Sequence, residues 1–155
     1  IDIARRTGMR LVLAAATPEY YSQVLAPLVD GTQVIYAGEL ALDEKISLLG
    51  RARALLYPVQ SAEPFGLVMA EAMACGTPVA ALRRGAVDEI VDEGVTGGAF
   101  ETLDDIVERL PSVLALDRGR VRARAVERFG PDRMVEAHVE VYSRLVRARA
   151  VVART

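Results

Sequence analysis

Cysteine and histidine are nearly absent from this sequence of 155 residues, which contains one of each, Cys75 and His138. A single cysteine excludes an intramolecular disulfide framework, and it leaves no cysteine pair at the spacing of a metal site. Such usage is typical of a reducing compartment, so we expect a cytoplasmic protein that binds no metal ion.

The sequence also lacks an excess of one charge and any long apolar run. Its 19 basic and 21 acidic side chains give a formal net charge of -2, which argues against a general nucleic-acid or anionic-membrane surface. No apolar run approaches the roughly 20 residues that span a bilayer, and the N-terminus does not resemble a signal peptide. We therefore expect no nucleic-acid partner and no transmembrane segment.

The apolar residues, 52% of the sequence, occur in short runs. Four of these runs, at 10–15, 32–38, 54–58 and 78–82, are each followed by a turn signal and a helix-like segment. This alternation is typical of repeated βα units. It predicts a single Rossmann-like α/β domain over residues 1–155, with a parallel sheet covered by helices on both faces.

The helical segments have recognisable boundaries. Pro18 lies at a typical first helical position, Asp43 is placed to cap the following helix, and Pro131 begins the last one, which is expected to end near Arg147. The last helix is predicted to carry an apolar stripe whose final turns are exposed or mobile. The stripe consists of Met134, His138, Val141, Tyr142 and Leu145.

The segment SAEPFGLVMAEAMACGTPVAAL lies where a parallel sheet binds ligands, in the loop between a strand and the following helix. Pro64 holds Glu63 just outside the helix start, and Gly66 lets a ligand approach the backbone. The amides of Phe65, Gly66 and Leu67 then form an anion- or hydroxyl-binding rim at the helix N-terminus. The ligand expected there carries hydroxyls and anionic groups.

Glu71 lies about one turn inside this helix, among apolar neighbours on both sides. A buried carboxylate without a partner is costly. We therefore expect Glu71 to be mostly buried, to lack a protein ion-pair partner, and to be satisfied by a ligand. Two carboxylates flanking an amide rim suit a ligand with diols at both ends and anionic groups between them, such as a nucleoside diphosphate sugar.

Several motifs in order carry a family resemblance. EPFGLVMAE, with Glu63 and Glu71 at its ends, resembles the E-x7-E motif of the retaining GT-B glycosyltransferases of family 4. It is preceded by GELALDEKISLLGRARALLYP and followed by EAMACGTPVAA, GAVDEIVDEGVTG and RFGPDRMVEAHVEVYSRL. The resemblance spans roughly residues 10 to 147, and it implies the C-terminal, donor-binding domain of such an enzyme.

The resemblance implies a role for each site residue. Glu63 would be the catalytic-centre carboxylate that binds hydroxyls of the donor sugar, and Glu71 would accept from both ribose hydroxyls. Phe65, Gly66 and Leu67 would supply amides to the sugar and the diphosphate.

The same resemblance places the nucleobase near Gly38, Glu39 and Leu40. The implied reaction moves a hexose from a UDP-, GDP- or ADP-sugar to an acceptor. It proceeds with retention and without a cofactor, because the nucleotide sugar is itself the substrate.

The family's donor site also includes an Arg and a Lys between the first strand and first helix of this domain, upstream of Ile1. The resemblance therefore implies a fragment that lacks this strand and the N-terminal acceptor domain and is inactive alone. The missing strand would leave the parallel edges of the runs at 10–15 and 54–58 unpaired or bring other chain segments into the gap, and unpaired edges would give low stability or self-association. Peripheral membrane association, if present, would belong to the missing domain.

Other interpretations stay open. Arg83 and Arg84 follow the run at 78–82 and could contact phosphate or acceptor, although solvated loop arginines explain them as well. GT-B folds also serve sugar epimerases and phosphorylases, and a non-catalytic nucleotide-binding module would keep the same fold. The presence of both Glu63 and Glu71 favours a glycosyl-transfer function.

Overall fold

The computed structural model describes residues 1–16, 18–62 and 64–152. In these parts of the chain the strands are β1 (Leu11–Ala14), β2 (Val34–Gly38), β3 (Leu55–Tyr57), β4 (Val79–Leu82) and β5 (Gly97–Phe100). The α-helices are α1 (Asp2–Thr7), α2 (Pro18–Tyr20), α3 (Leu42–Arg51), α4 (Leu67–Ala74), α5 (Val87–Ile90), α6 (Leu103–Leu114), α7 (Arg118–Phe129) and α8 (Pro131–Val152).

The strands form two separate parallel sheets, one with the order β1-β2 and the other with the order β3-β4-β5. Among the described residues, β1 pairs only with β2 and β3 only with β4. Of the two outcomes expected for the runs at 10–15 and 54–58, an unpaired edge or another segment in its place, this pairing matches the first. The predicted strands also match the observed ones to within two residues.

Strand β4 is buried on both faces, which explains its continuous apolar sequence. Val79 and Ala81 pack into a cluster with residues of α4, α5 and α7. Ala80 and Leu82 face a second cluster formed with α1 and α6. The three-layer α/β architecture predicted from the sequence is therefore confirmed for this sheet.

A buried hydroxyl ties α3 to this sheet. Thr77 is fully buried in the turn before β4, and its Oγ1 donates to the Leu49 carbonyl at 2.5 Å. Arg118, at the start of α7, donates to the carbonyls of Ala52 and Gly50 and to Thr77 Oγ1. These bonds satisfy carbonyls that the C-terminal end of α3 leaves without helical partners.

Two helix predictions need correction. The segment after Pro18 is not one α-helix, because a π-helix (Tyr21–Leu25) and a 3-10 helix (Ala26–Leu28) follow α2. Asp43 does not cap α3: the helix begins one residue earlier, and the Glu44 side chain accepts from the Ala41 amide at 2.9 Å. A glutamate at the third helical position accepts from the amide of the residue that precedes the helix, as in a capping box.

Helix α8 carries the predicted apolar stripe. The stripe is exposed along the helix, and not only in its final turns. Met134 is already 55% exposed, Tyr142 60% and Leu145 62%. His138 lies on the helix surface, with its Nδ1 atom 2.8 Å from the Met134 carbonyl oxygen. Tertiary packing within the described residues therefore does not cover this face.

Gly97 is required by the pairing of β4 with β5. A Cβ atom added there would lie 2.1 Å from the Val79 carbonyl oxygen. We expect Gly97→Ala to lower the free energy of unfolding by about 1–3 kcal/mol or more, measured by urea denaturation. Gly50→Ala is the matched control: a Cβ on this α3 residue meets nothing within 4 Å, so alanine should stabilise by about 0.5–1 kcal/mol. Equal stabilities would contradict the steric argument.

Asp30 organises the turn into β2 and makes the fold sensitive to acid. Its Oδ1 accepts from the amides of Thr32, Gln33 and Val34 and from the Thr32 hydroxyl. These bonds, led by the Thr32 amide, lower the pKa of the Asp30 carboxyl to about 2. A carboxyl whose pKa is depressed on folding stabilises the fold above its unfolded pKa, near 4, and this contribution is lost as the pH falls towards 2.

We therefore expect Asp30→Asn to flatten the acid limb of a plot of melting temperature against pH between about pH 4 and pH 2. Asp132→Asn, in the first turn of α8, removes an equal charge from an exposed position and is the control. An acid limb that is unchanged in Asp30→Asn would show that this carboxylate does not stabilise the native turn.

Candidate functional site

The candidate site lies where α3 and α4 begin, beyond the carboxyl ends of β2 and β3. Gly38 ends β2, and α3 begins at Leu42. The loop after β3 ends at Gly66, the residue before α4. These two strands belong to different sheets, and the two parts of the site are connected by the direct contact of α3 with α4.

Gly66 has a geometry that only glycine accommodates easily. It is buried and has φ 77°, and a Cβ atom there would lie 2.7 Å from Met69 Cε and 3.0 Å from the Tyr57 hydroxyl oxygen. Its carbonyl accepts from the Met69 amide at 2.9 Å, which starts α4. The sequence-based reason for this glycine was ligand access, and the structure adds a packing reason.

The amide rim predicted at Phe65, Gly66 and Leu67 lies at this helix start. Amides in the first turn of a helix have no acceptor within the helix, so they point outwards from its N-terminus. Phe65 is 38% exposed and Leu67 70% exposed, whereas Gly66 between them is buried. Glu63, the predicted catalytic carboxylate, lies outside the described residues.

An aromatic contact anchors this loop. The Phe65 ring packs edge-to-face on Phe129 at the end of α7, with ring centroids 5.9 Å apart. The Arg128 guanidinium lies 4.9 Å from the centre of the Phe129 ring and also binds Asp92 and the carbonyls of Glu89 and Ile90. The C-terminal end of α7 therefore holds the loop before α4 against the body of the domain.

The expectations for Glu71 are both wrong. Its side chain is 40% exposed rather than buried, and its Oε1 atom is 2.6 Å from Lys45 Nζ on α3. An unpaired buried carboxylate therefore cannot be the reason for assigning a ligand to Glu71. The assignment of a ligand to Glu71 then rests on its position, one turn inside α4 and beside α3.

The segment predicted to border a nucleobase follows β2. Gly38 has φ 72°, Glu39 is exposed and Leu40 is half-buried. Leu40 lines an open groove of about 460 Å³ together with Val12, Ala37 and a largely exposed face of α3. The segment therefore borders α3, the helix that contacts α4.

Arg83 is already neutralised by protein groups. It pairs with Asp88, with Glu101 at 2.9 Å and with Glu93 at 3.4 Å, and it donates to the Ala99 carbonyl. Arg84 donates to the Arg83 carbonyl and lies 3.8 Å from Glu101. These contacts favour a structural role for Arg83, and a phosphate or acceptor contact by either arginine stays a prediction.

The described residues contain neither a group of side chains arranged as a metal site nor a helix that could span a membrane. No group of three or more His, Cys, Asp or Glu side chains there is arranged to hold a metal ion. In the same part of the chain, no helix is both long enough and apolar enough to cross a bilayer. The one cysteine, Cys75, is half-buried and packs at the edge of the α4 cluster.

Sequence reasoning missed Lys45 and Phe129. Both contacts join residues far apart in the chain, Lys45 with Glu71 and Phe65 with Phe129, and no local pattern predicts them. The only available signal for Lys45 was its rarity, because it is the single lysine among 19 basic residues.

Comparison with known proteins identifies the family. Residues 19–129 match the family described as glycosyl transferases group 1. The chain is 30% identical to the D-inositol 3-phosphate glycosyltransferase of Mycobacterium tuberculosis over 159 aligned residues, which cover 92% of this chain and 33% of that protein. The chain therefore spans about a third of the length of this curated relative.

Solved structures agree in fold. AviGT4, a glycosyltransferase involved in avilamycin A biosynthesis, superposes with a TM-score of 0.71 and 29% identity over 92% of this chain and 45% of its own. Anabaena Alr3699/HepE, solved in complex with UDP, superposes with a TM-score of 0.70 and 21% identity over 90% of this chain and 43% of its own. Its low identity supports the fold alone. By the match over residues 19–129, the chain belongs to the group 1 glycosyl transferases.

Proposed function

We propose that this chain binds the nucleotide-sugar donor in a retaining GT-B glycosyltransferase of family 4. The observation that carries the proposal is the start of α4: a glycine-led amide rim, with Glu71 one turn inside, at the ligand-binding edge of the parallel sheet. Membership of the group 1 glycosyl transferases supports the same assignment.

Each residue has a role in this proposal. Glu63 binds hydroxyls of the donor sugar at the catalytic centre, and the amides of Phe65, Gly66 and Leu67 bind the diphosphate and sugar. Glu71 accepts hydrogen bonds from the ribose. The nucleobase lies against Gly38, Glu39 and Leu40.

The donor is a UDP-, GDP- or ADP-hexose; HepE, which shares the fold, was solved in complex with UDP and with UDP-glucose. Catalysis consists of positioning the donor and stabilising the leaving diphosphate. The cationic part of that stabilisation is assigned by family resemblance to an Arg and a Lys upstream of Ile1. Transfer by the full-length gene product to an acceptor held by a second domain completes the reaction, with no cofactor.

Glu71→Gln tests the donor site. We expect the full-length gene product to bind its preferred nucleoside diphosphate, chosen from UDP, GDP and ADP, about 10- to 100-fold more weakly after this change. The cause is loss of a charged acceptor for ribose hydroxyls, and calorimetry measures it. Glu108→Gln, on exposed α6 surface, is the matched control and should bind like the wild type. Unchanged affinity in Glu71→Gln would place the nucleotide elsewhere.

Gly66→Ala tests the amide rim. The left-handed backbone costs a non-glycine residue about 1–2 kcal/mol, and the new methyl group must also displace Met69 or Tyr57. We expect lower stability and loss of nucleotide binding. Gly31→Ala separates the two causes, because Gly31 has φ 74° but open space around it, and it should lose stability only. Retained binding in a folded Gly66→Ala variant would contradict the rim.

The transfer reaction distinguishes this proposal from the other GT-B activities. We expect the full-length gene product to hydrolyse or transfer the sugar of its donor with retention, measured by NMR of the anomeric proton. The 155-residue chain alone should bind nucleotide sugars only near about 1 mM and should transfer nothing. Epimerisation of the donor, or phosphorolysis without transfer, would overturn the glycosyltransferase assignment.

A further inference from the structure

Lys45 and Glu71 form an ion pair at the centre of the candidate donor site. Lys45 lies in the first turn of α3 and Glu71 in α4, and their Nζ and Oε1 atoms are 2.6 Å apart. The lysine side chain is 37% exposed and the glutamate side chain 40%, so a ligand can reach both.

The fold does not depend on this pair. Ion pairs that are this exposed contribute little to stability. Helix α3 is held instead at its other end, where the Leu49 carbonyl binds buried Thr77 and Arg118 binds the carbonyls of Gly50 and Ala52. The positions of Lys45 and Glu71 are therefore available for a function other than packing.

The pair joins the two helices whose starts form the proposed site. Leu40, at the proposed base end, is two residues before the start of α3, and Gly66, at the proposed diphosphate end, is the residue before α4. In a nucleoside diphosphate the ribose connects the base to the diphosphate. The proposed function places the ribose at Glu71, and a ribose bound there is also within reach of Lys45, whose Nζ atom is 2.6 Å from Glu71 Oε1.

The chemistry of the pair matches a vicinal diol. A carboxylate only accepts hydrogen bonds and an ammonium only donates them, whereas each ribose hydroxyl does both. Lys45 uses one of its three N–H donors on Glu71, and the carboxylate keeps free lone pairs. The diol hydroxyls can donate to Glu71 while their oxygens accept from Lys45.

We propose that Lys45 binds the ribose diol together with Glu71 and makes the site specific for ribonucleotides. The proposal rests on the proposed function, since it assigns a further binding residue to the same donor site. Lys45 acts on the ribose hydroxyls and not on the diphosphate, and this distinction determines the test.

The experiment compares a ribonucleoside diphosphate with its 2′,3′-dideoxy counterpart by calorimetry on the full-length gene product. The base is whichever of uracil, guanine and adenine the wild type binds best. The variants are Lys45→Met, Glu71→Gln and the double variant. Arg53→Met is the matched control, because it removes the same charge from an exposed residue just beyond α3. Circular dichroism verifies that each variant is folded.

We expect the wild type to prefer the ribonucleotide by about 10- to 100-fold. Lys45→Met should weaken ribonucleotide binding about tenfold and leave dideoxynucleotide binding nearly unchanged. The double variant should lose less than the product of the two single losses, because both residues bind one diol. Arg53→Met should bind both ligands like the wild type.

A second measurement uses the amine of Lys45. Acylation by an amine-reactive ester, followed by mass spectrometry of the peptide that contains residue 45, reports how accessible Lys45 is. The ribonucleotide should protect Lys45 and the dideoxynucleotide should protect it much less. Equal protection by both ligands would contradict the proposal.

The outcomes separate this inference from the proposed function. If Glu71→Gln weakens binding and Lys45→Met matches Arg53→Met, the donor site stands and the role of Lys45 is overturned. If Lys45→Met weakens both ligands equally, Lys45 binds the base or diphosphate, which also overturns it. If the wild type binds none of the ribonucleotides, the proposed function fails together with the inference.

Discussion

The two-sided burial of β4 is the constraint on which the rest of the structure depends. Val79 and Ala81 face α4, α5 and α7, while Ala80 and Leu82 face α1 and α6, so one short strand joins both halves of the core. Because β4 pairs with β3 and β5 in parallel, the loops that follow these strands all leave at one edge. The loop after β3 leads from that edge into α4.

The turn before β4 transmits this constraint to α3. Thr77 is fully buried, and its hydroxyl and Arg118 together bind the last carbonyls of α3. With its C-terminal end held in this way, α3 extends along the sheet so that its first turn reaches α4. The contact between Lys45 and Glu71 is a consequence of this arrangement, since the two residues come from helices that the core has already placed side by side.

The site combines rigid backbone with exposed charge. Gly66 is packed against Met69 and Tyr57, and the Phe65 ring packs on Phe129, so these two residues have little freedom to rearrange. Lys45 and Glu71, by contrast, are both partly exposed. Preorganised amides beside accessible charged groups suit a polar ligand, because the backbone donors need no reorganisation while the side chains can exchange one hydrogen-bond partner for another.

The sequence by itself determined the strands and the parallel α/β architecture, and it is the origin of the prediction of a site before α4, because apolar period, turn residues and helix starts are local properties. It also indicated unpaired edges of β1 and β3 as one of two outcomes. Only the tertiary structure decided the environment of Glu71. Apolar neighbours in sequence suggested burial, but a helix turns each residue about 100° from the last, so those neighbours lie on other faces. Which side chain meets Glu71 depends on how α3 docks, and that is a property of the packed core.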